Sequence, residues 1–174
     1  MIIIAAGSNL AFAGHPPPAL VSSALNSLEK FGSGLQLSPL YESPAWPDPD
    51  EPAYVNAVAI LAKSALAPEA LLAALHALED GFGRERAYLR DPALRYAPRT
   101  LDLDLIAYDD ETRTGSAGGL MLPHPALAQR DFVLAPLCDL APDWCHPVTG
   151  ETAAAMLASS GPRHARKLAV QPGF

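Results

Sequence analysis

Pro98-Arg99-Thr100-Leu101-Asp102-Leu103-Asp104-Leu105-Ile106 is the stretch on which the fold turns. Leu101, Leu103 and Leu105 alternate with Asp102 and Asp104, the period of a β-strand. Successive strand side chains point to opposite faces. One face is therefore leucine, and the other carries two carboxylates about 7 Å apart at their Cα atoms. Arg99 stands just before them. Paired carboxylates on a rigid strand suit Mg²⁺, and a neighbouring guanidinium suits phosphate. Taken alone, the segment fits equally well a half-exposed strand whose outer face is acidic.

The residues upstream weigh on that choice. Five of the nine arginines, Arg84, Arg86, Arg90, Arg95 and Arg99, fall in one short stretch that runs into the acidic strand. The net charge is −7, and lysine is scarce. An acidic chain with one dense arginine cluster points to a local polyanion site and away from broad nucleic-acid binding, which needs a basic footprint. No Walker A loop or GxGxxG follows a strand, so any nucleotide must be held by arginines and metal.

The flanking pattern predicts β-α-β-β-α-β. Strands are expected at 2–6, 35–41, 54–62 and 101–108. One helix opens at Pro16-Pro17-Pro18 and presents Leu20, Ala24, Leu25, Leu28 and Phe31. A second opens at Pro68 and presents Leu71, Leu72, Leu75, Leu78 and Phe82. A small hairpin around 115–119 and short helices at 130–137 and 151–158 follow. The fold class is thus α+β: a ferredoxin-like βαββαβ core, an antiparallel sheet with helices packed on it, plus a small C-terminal helical extension. Residues 1–159 are expected to form a single domain, with 160–174 a weakly patterned tail. The 174 residues are enough to bury a core, and no apolar run reaches the length of a membrane span. Met1 leads straight into Ile2-Ile3-Ile4 without a basic leader, and Cys138 and Cys145 make no disulfide framework. Both features point to the cytoplasm.

Aromatic and polar residues cluster in two loops. Trp46 and Tyr54 flank a loop rich in proline and acid, and Tyr88 and Tyr96 lie in the arginine loop. Phe132 follows Arg130-Asp131. Flat aromatic faces suit a planar ring ligand, and Asn56 could read a ring edge through its amide. Taken singly, Tyr54 and Phe132 fit core packing as well, and His124 in Leu122-Pro123-His124-Pro125 fits a turn. His124, Cys138, Cys145 and His146 have no zinc-ligand spacing.

These motifs stand in the order of one family. The chain resembles the 6-hydroxymethyl-7,8-dihydropterin pyrophosphokinases of folate biosynthesis. The likeness rests on Gly7-Ser8-Asn9-Leu10, Tyr41 with Ser43-Pro44, and Tyr54-Val55-Asn56-Ala57. Glu79 with Gly83-Arg84, Pro98-Arg99-Thr100-Leu101-Asp102-Leu103-Asp104, Leu122-Pro123-His124-Pro125 and Arg130-Asp131-Phe132 complete it. It implies an enzyme that transfers pyrophosphate from ATP to the pterin alcohol and releases AMP. Asp102 and Asp104 would hold two Mg²⁺ ions. Arg84 and Arg99 would grip the phosphates, with Arg86 assisting. His124 and Arg130 would also face the phosphates, and Glu79 would lie near the nucleoside. Tyr54 and Phe132 would sandwich the pterin, Asn56 and Ser43 read its edge, and Pro44 and Trp46 line its pocket. Tyr96 replaces a common tryptophan, Ala87 a frequent basic residue, and Pro125 a common tyrosine. The resemblance implies no membrane, no nucleic acid and no obligate protein partner. A palm-like nucleotidyl transferase could also use paired aspartates, but it would need neither Asn56 nor the Tyr54/Phe132 pair.

Overall fold

A computed structural model describes residues 1–86, 91, 97–115 and 119–169. Ala87, Tyr88, Arg90, Arg95 and Tyr96 of the arginine loop lie outside the described residues. Ten strands are described: β1 (Ile2–Ser8), β2 (Gly32–Ser33), β3 (Gln36–Leu37), β4 (Tyr41–Ser43), β5 (Tyr54–Leu61), β6 (Lys63–Ser64), β7 (Asp102–Tyr108), β8 (Arg113–Thr114), β9 (Met121–Leu122) and β10 (Arg166–Lys167). Four α-helices accompany them: α1 (Pro17–Asn26), α2 (Pro68–Gly81), α3 (Asp131–Leu140) and α4 (Ala153–Ser159). The main sheet is antiparallel in the order β10-β4-β5-β1-β7, and β3 also pairs with β5.

Strand β1 is the axis of this sheet, paired on both sides and buried along its whole length. Its alternate residues feed two cores. Ile2, Ile4 and Ala6 join Leu101, Leu103, Leu105 and the apolar stripes of α1 and α2. Ile3 and Ala5 join Val58, Ile60 and Ile106 beneath α3 and α4. The sheet thus lies between two helical layers. The acidic residues of β7 belong to the second face, at the end where Asp102 and Asp104 stay partly open to solvent. Full burial of each aliphatic side chain contributes about 1.5–3 kcal/mol. That makes the sheet a stiff base for whatever its exposed end carries.

Three elements depart from the sequence pattern for local reasons. The strand expected over 35–41 is broken into β3 and β4. Pro39 has no N–H for the ladder, and beside it the Val58 N–H donates to the Ser38 hydroxyl at 2.9 Å. The first helix keeps α geometry only to Asn26 and tightens to a 3₁₀ turn over Ser27–Phe31. There the Asn26 and Ser27 side chains donate to the carbonyls one turn back, drawing on the acceptors of the helical ladder. The helix expected to stop at 137 runs on to Leu140 through Pro136. In the C-terminal stretch read as weakly patterned, Arg166 and Lys167 pair with Glu42 and Tyr41. Strands β8 and β9 form the expected small hairpin, whose tip lies outside the described residues. Among the described residues, no helix is long and apolar enough to cross a membrane.

Candidate functional site

A cleft of about 1200 Å³ opens over the uncovered end of the second sheet face. Gly7 is its floor. It pairs with Asn56 on β5 and with Asp102 on β7. A Cβ at Gly7 would stand 3.2 Å from Asn56 Oδ1 and 3.6 Å from the Tyr54 ring. Glycine therefore keeps open the space between Asn56 on one side and the aspartates on the other.

The phosphate-competent half is an arginine–carboxylate network. Asp102 is held at both oxygens, Oδ1 by Arg84 at 3.1 Å and Oδ2 by Arg99 at 2.8 Å. Asp104 Oδ2 accepts from Arg130 Nη1 at 2.6 Å. The arginines differ in access. Arg84 is nearly enclosed, with 6% of its side chain exposed, whereas Arg99 keeps 20% and Arg130 28%. Arg84 is pinned from below, donating also to the Leu101 carbonyl at 3.1 Å. Burial would lower the pKa of Arg99, but the nearby Asp102 outweighs it, and the guanidinium is held more firmly protonated than usual.

Local chain geometry puts these groups in place. Helix α2 ends with Gly83 at φ +72°, while the Gly83 and Arg84 N–H groups return to the Asp80 and Glu79 carbonyls. A side chain at Gly83 would strike the Phe12 ring, so glycine both makes the turn and lets Arg84 swing under β7. Asn9 fastens Arg99: its Oδ1 accepts the Arg99 N–H at 2.8 Å, and its own N–H donates to the Arg99 carbonyl at 3.1 Å. The same Asn9 amide donates to the Pro52 carbonyl at 3.0 Å, which ties down the end of the proline-rich loop.

Glu79 is buried beneath β7. Its Oε1 accepts the Leu103 N–H at 2.7 Å, and Oε2 pairs with Arg86. Burial raises its pKa from 4.5 to about 7, against the pull of the Leu103 N–H and the arginines. Arg86 also pairs with Asp80, and it does not line the cleft.

The other half is aromatic and amide. Ser43, Pro44, Trp46, Tyr54, Asn56 and Phe132 all line it. Asn56 Nδ2 donates to Ser43 Oγ at 3.0 Å, which fixes the amide orientation. Trp46 is 71% exposed at the rim. Burial raises the pKa of the Tyr54 phenol, which stays neutral. Arg130 stacks over Phe132 at 5.8 Å and so links the two halves.

Twelve of the fourteen site residues named from the sequence line this one cleft; Arg86 and His124 do not. His124 lines a neighbouring cavity of about 400 Å³. Its N–H donates at 2.8 Å to the carbonyl of Ile106, the residue left unpaired where the β1/β7 register shifts. Burial and the nearby Arg130 lower its pKa, leaving the imidazole neutral at pH 7. Gly7, His76 and His164 are among the cleft residues that sequence reasoning did not name for the site. His76 lies three residues before Glu79 on α2, a spacing that could have found it. Gly7 was hidden as a strand end, although it shares a face with Ala5. His164 carried no local signal.

Residues 3–142 match the family model for 7,8-dihydro-6-hydroxymethylpterin-pyrophosphokinase. The chain is 40% identical over 144 residues to the 2-amino-4-hydroxy-6-hydroxymethyldihydropteridine pyrophosphokinase of Pseudomonas aeruginosa, covering 82% of this chain and 81% of that one. It is 44% identical over 104 residues to the protein of the same name from Synechocystis sp., covering 60% of this chain and 49%, about half, of the relative. Its fold is similar to that of the Plasmodium falciparum HPPK-DHPS crystal structure with STZ-DHP, at a TM-score of 0.68 and 12% identity, covering 95% of this chain and 46% of that one.

Proposed function

The chain belongs to the 7,8-dihydro-6-hydroxymethylpterin-pyrophosphokinase family, and on that premise we propose that it moves the β,γ-diphosphoryl group of ATP onto 6-hydroxymethyl-7,8-dihydropterin in folate biosynthesis. The hydroxymethyl oxygen forms a bond to the β-phosphorus. The bond from that phosphorus to the α,β-bridging oxygen breaks, AMP departs with the electron pair, and the hydroxyl proton is released. The observation that carries this reading is the two-ended cleft. Asp102, Asp104, Arg99 and Arg130 supply its charged half and Tyr54, Asn56 and Phe132 its aromatic and amide half, with Gly7 on the strand between Asn56 and Asp102.

Asp102 and Asp104 fit Mg²⁺: both present hard oxygens from one strand face into the cleft, partly open to solvent. Mg²⁺ takes one or two protein carboxylates and completes its shell with phosphate oxygens and water. On this reading they hold two Mg²⁺ ions, which would screen the triphosphate and make the attacking hydroxyl more acidic. The protein's own part is positioning and electrostatics. Arg99 and Arg130, now paired with the aspartates, turn toward the incoming phosphates. Arg84 holds Asp102 from beneath and joins the phosphate grip, and neutral His124 offers a hydrogen bond from the side. Glu79, backed by Arg86, shapes the nucleoside end. Tyr54 and Phe132 take the pterin faces, Asn56 and Ser43 its edge, and Pro44 and Trp46 the rim.

We read the β7-β1-β5-β4 order, with α1 and α2 on one face, as a ferredoxin-like βαββαβ core. In that reading residues 1–159 make the domain, α3 and α4 are its C-terminal extension, and β10 adds an edge strand to its sheet. Two free cysteines agree with a cytoplasmic setting. Incubation of the protein with ATP, Mg²⁺ and the pterin alcohol should yield AMP only when the pterin is present. Release of free pyrophosphate, or AMP formation indifferent to the pterin, would refute the reading.

A further inference from the structure

The family match stops at residue 142, yet the cleft has a wall from beyond that point. His164 lines it. Two anchors set this residue in place. The Asp131 carboxylate, 8% exposed at the start of α3, accepts the backbone N–H groups of His164 and Ala165, the latter at 2.9 Å. Two residues later β10 begins, pairing Arg166 with Glu42 and Lys167 with Tyr41 on β4. Followed back along the chain, that register runs Ala165 and His164 toward Ser43 and Pro44.

The β10 end is itself secured. Lys167 Nζ and the Tyr41 hydroxyl converge on Asp139 Oδ2 at 3.0 and 2.7 Å, and the Leu168 N–H donates to the Leu40 carbonyl at 2.9 Å. The backbone at His164 is thus held on both sides, while the side chain remains exposed at the rim. Both anchors adjoin the aromatic half of the cleft. Asp131 precedes Phe132, and β4 leads into Ser43, the partner of Asn56.

We propose that His164 is a binding residue for the heteroaromatic alcohol, a specificity determinant supplied from outside the part of the chain that the family model matches. This rests on the function proposed above. An imidazole brings a flat face, a ring N–H donor and a ring nitrogen acceptor. These complement a planar heterocycle whose edge carries donors and acceptors. Asp131 acts through the backbone and is the positioning residue.

The test is binding of 6-hydroxymethyl-7,8-dihydropterin to the full chain loaded with Mg²⁺ and a non-hydrolysable ATP analogue, measured by calorimetry. His164→Ala should weaken pterin binding roughly fivefold, the scale of one good hydrogen bond, with the Kd of the ATP analogue and the Tm unchanged. Unchanged pterin affinity would overturn the proposal. So would an equal loss for the nucleotide, which would mean a general loosening of the cleft. AMP release by the unsubstituted protein is measured separately, so failure here does not count against the activity.

Discussion

Glu79→Gln is expected to stabilise the protein, and to do so only above a definite pH. The wild-type carboxyl is buried, and its pKa is raised from 4.5 to about 7. The folded state therefore binds this proton more tightly than the unfolded chain. Between pH 4.5 and 7 unfolding releases it, so stability falls as pH rises through that window and reaches its floor above pH 7. At about 1.4 kcal/mol per tenfold change in proton affinity, the full loss is about 3 kcal/mol. Glutamine mimics the protonated acid: its carbonyl can still accept the Leu103 N–H, and Arg86 keeps Asp80 as a partner. Urea unfolding of both proteins at pH 4, 5, 6, 7 and 8 measures the difference. The variant and the wild type should match near pH 4, and the variant should gain to about 3 kcal/mol by pH 8. A difference that does not change with pH, or a wild type more stable than the variant above pH 7, would refute the reasoning. The second result would mean that Arg84 and Arg86 favour the buried charge by more than burial costs it.

Other substitutions probe the cleft directly. Asp104→Ala should abolish AMP formation with Mg²⁺ while the Tm stays within about 4 °C, the change expected of roughly 1 kcal/mol in a chain of this size; near-normal turnover would remove Asp104 from the metal assignment. Arg99→Ala should lower kcat by about 10²–10³, as for a lost charge-stabilising donor, and an unchanged kcat would show that this arginine grips nothing during transfer. Gly7→Val should raise the KM for the pterin at least roughly tenfold and leave the stability of the ATP analogue complex nearly intact. Steady-state kinetics with the pterin varied at saturating ATP checks it, and an unaltered KM would show that the floor of the cleft is not where the ring lies.

Much of this arrangement was legible because alternation and apolar stripes report burial directly. Asp102 and Asp104 opposite Leu101, Leu103 and Leu105 placed the acidic face of β7 correctly, since a one-residue slip would have exposed every leucine. The Ser38-Pro39 break was not legible: a serine hydroxyl taking the place of a ladder group depends on where Val58 lies, far along the chain. The burial of Glu79 was equally hidden. On a helical projection it adjoins the apolar stripe of α2, but only the packing of α2 under β7 supplies the Leu103 N–H that makes its burial tolerable. His124 was found by motif, yet its setting comes from the register shift at Ile106, which no local pattern announces. His164 depends on a two-residue strand and a buried carboxylate more than thirty residues away.

The place of Gly7 between Asn56 and Asp102 makes the sheet a ruler. Neighbouring strands lie about 4.8 Å apart, so these two residues are held about 10 Å apart at the backbone by two ladders of hydrogen bonds. On the proposed reading that span is the gap between ring and phosphate anchors. It is written into the core of the molecule. Changes in the flanking loops can alter how tightly each ligand is held, or how long it stays. They cannot bring the two anchors closer together or move them apart. Natural variation in this chain should then be free at the rim and restrained along β1, where one inserted residue would shift one anchor against the other.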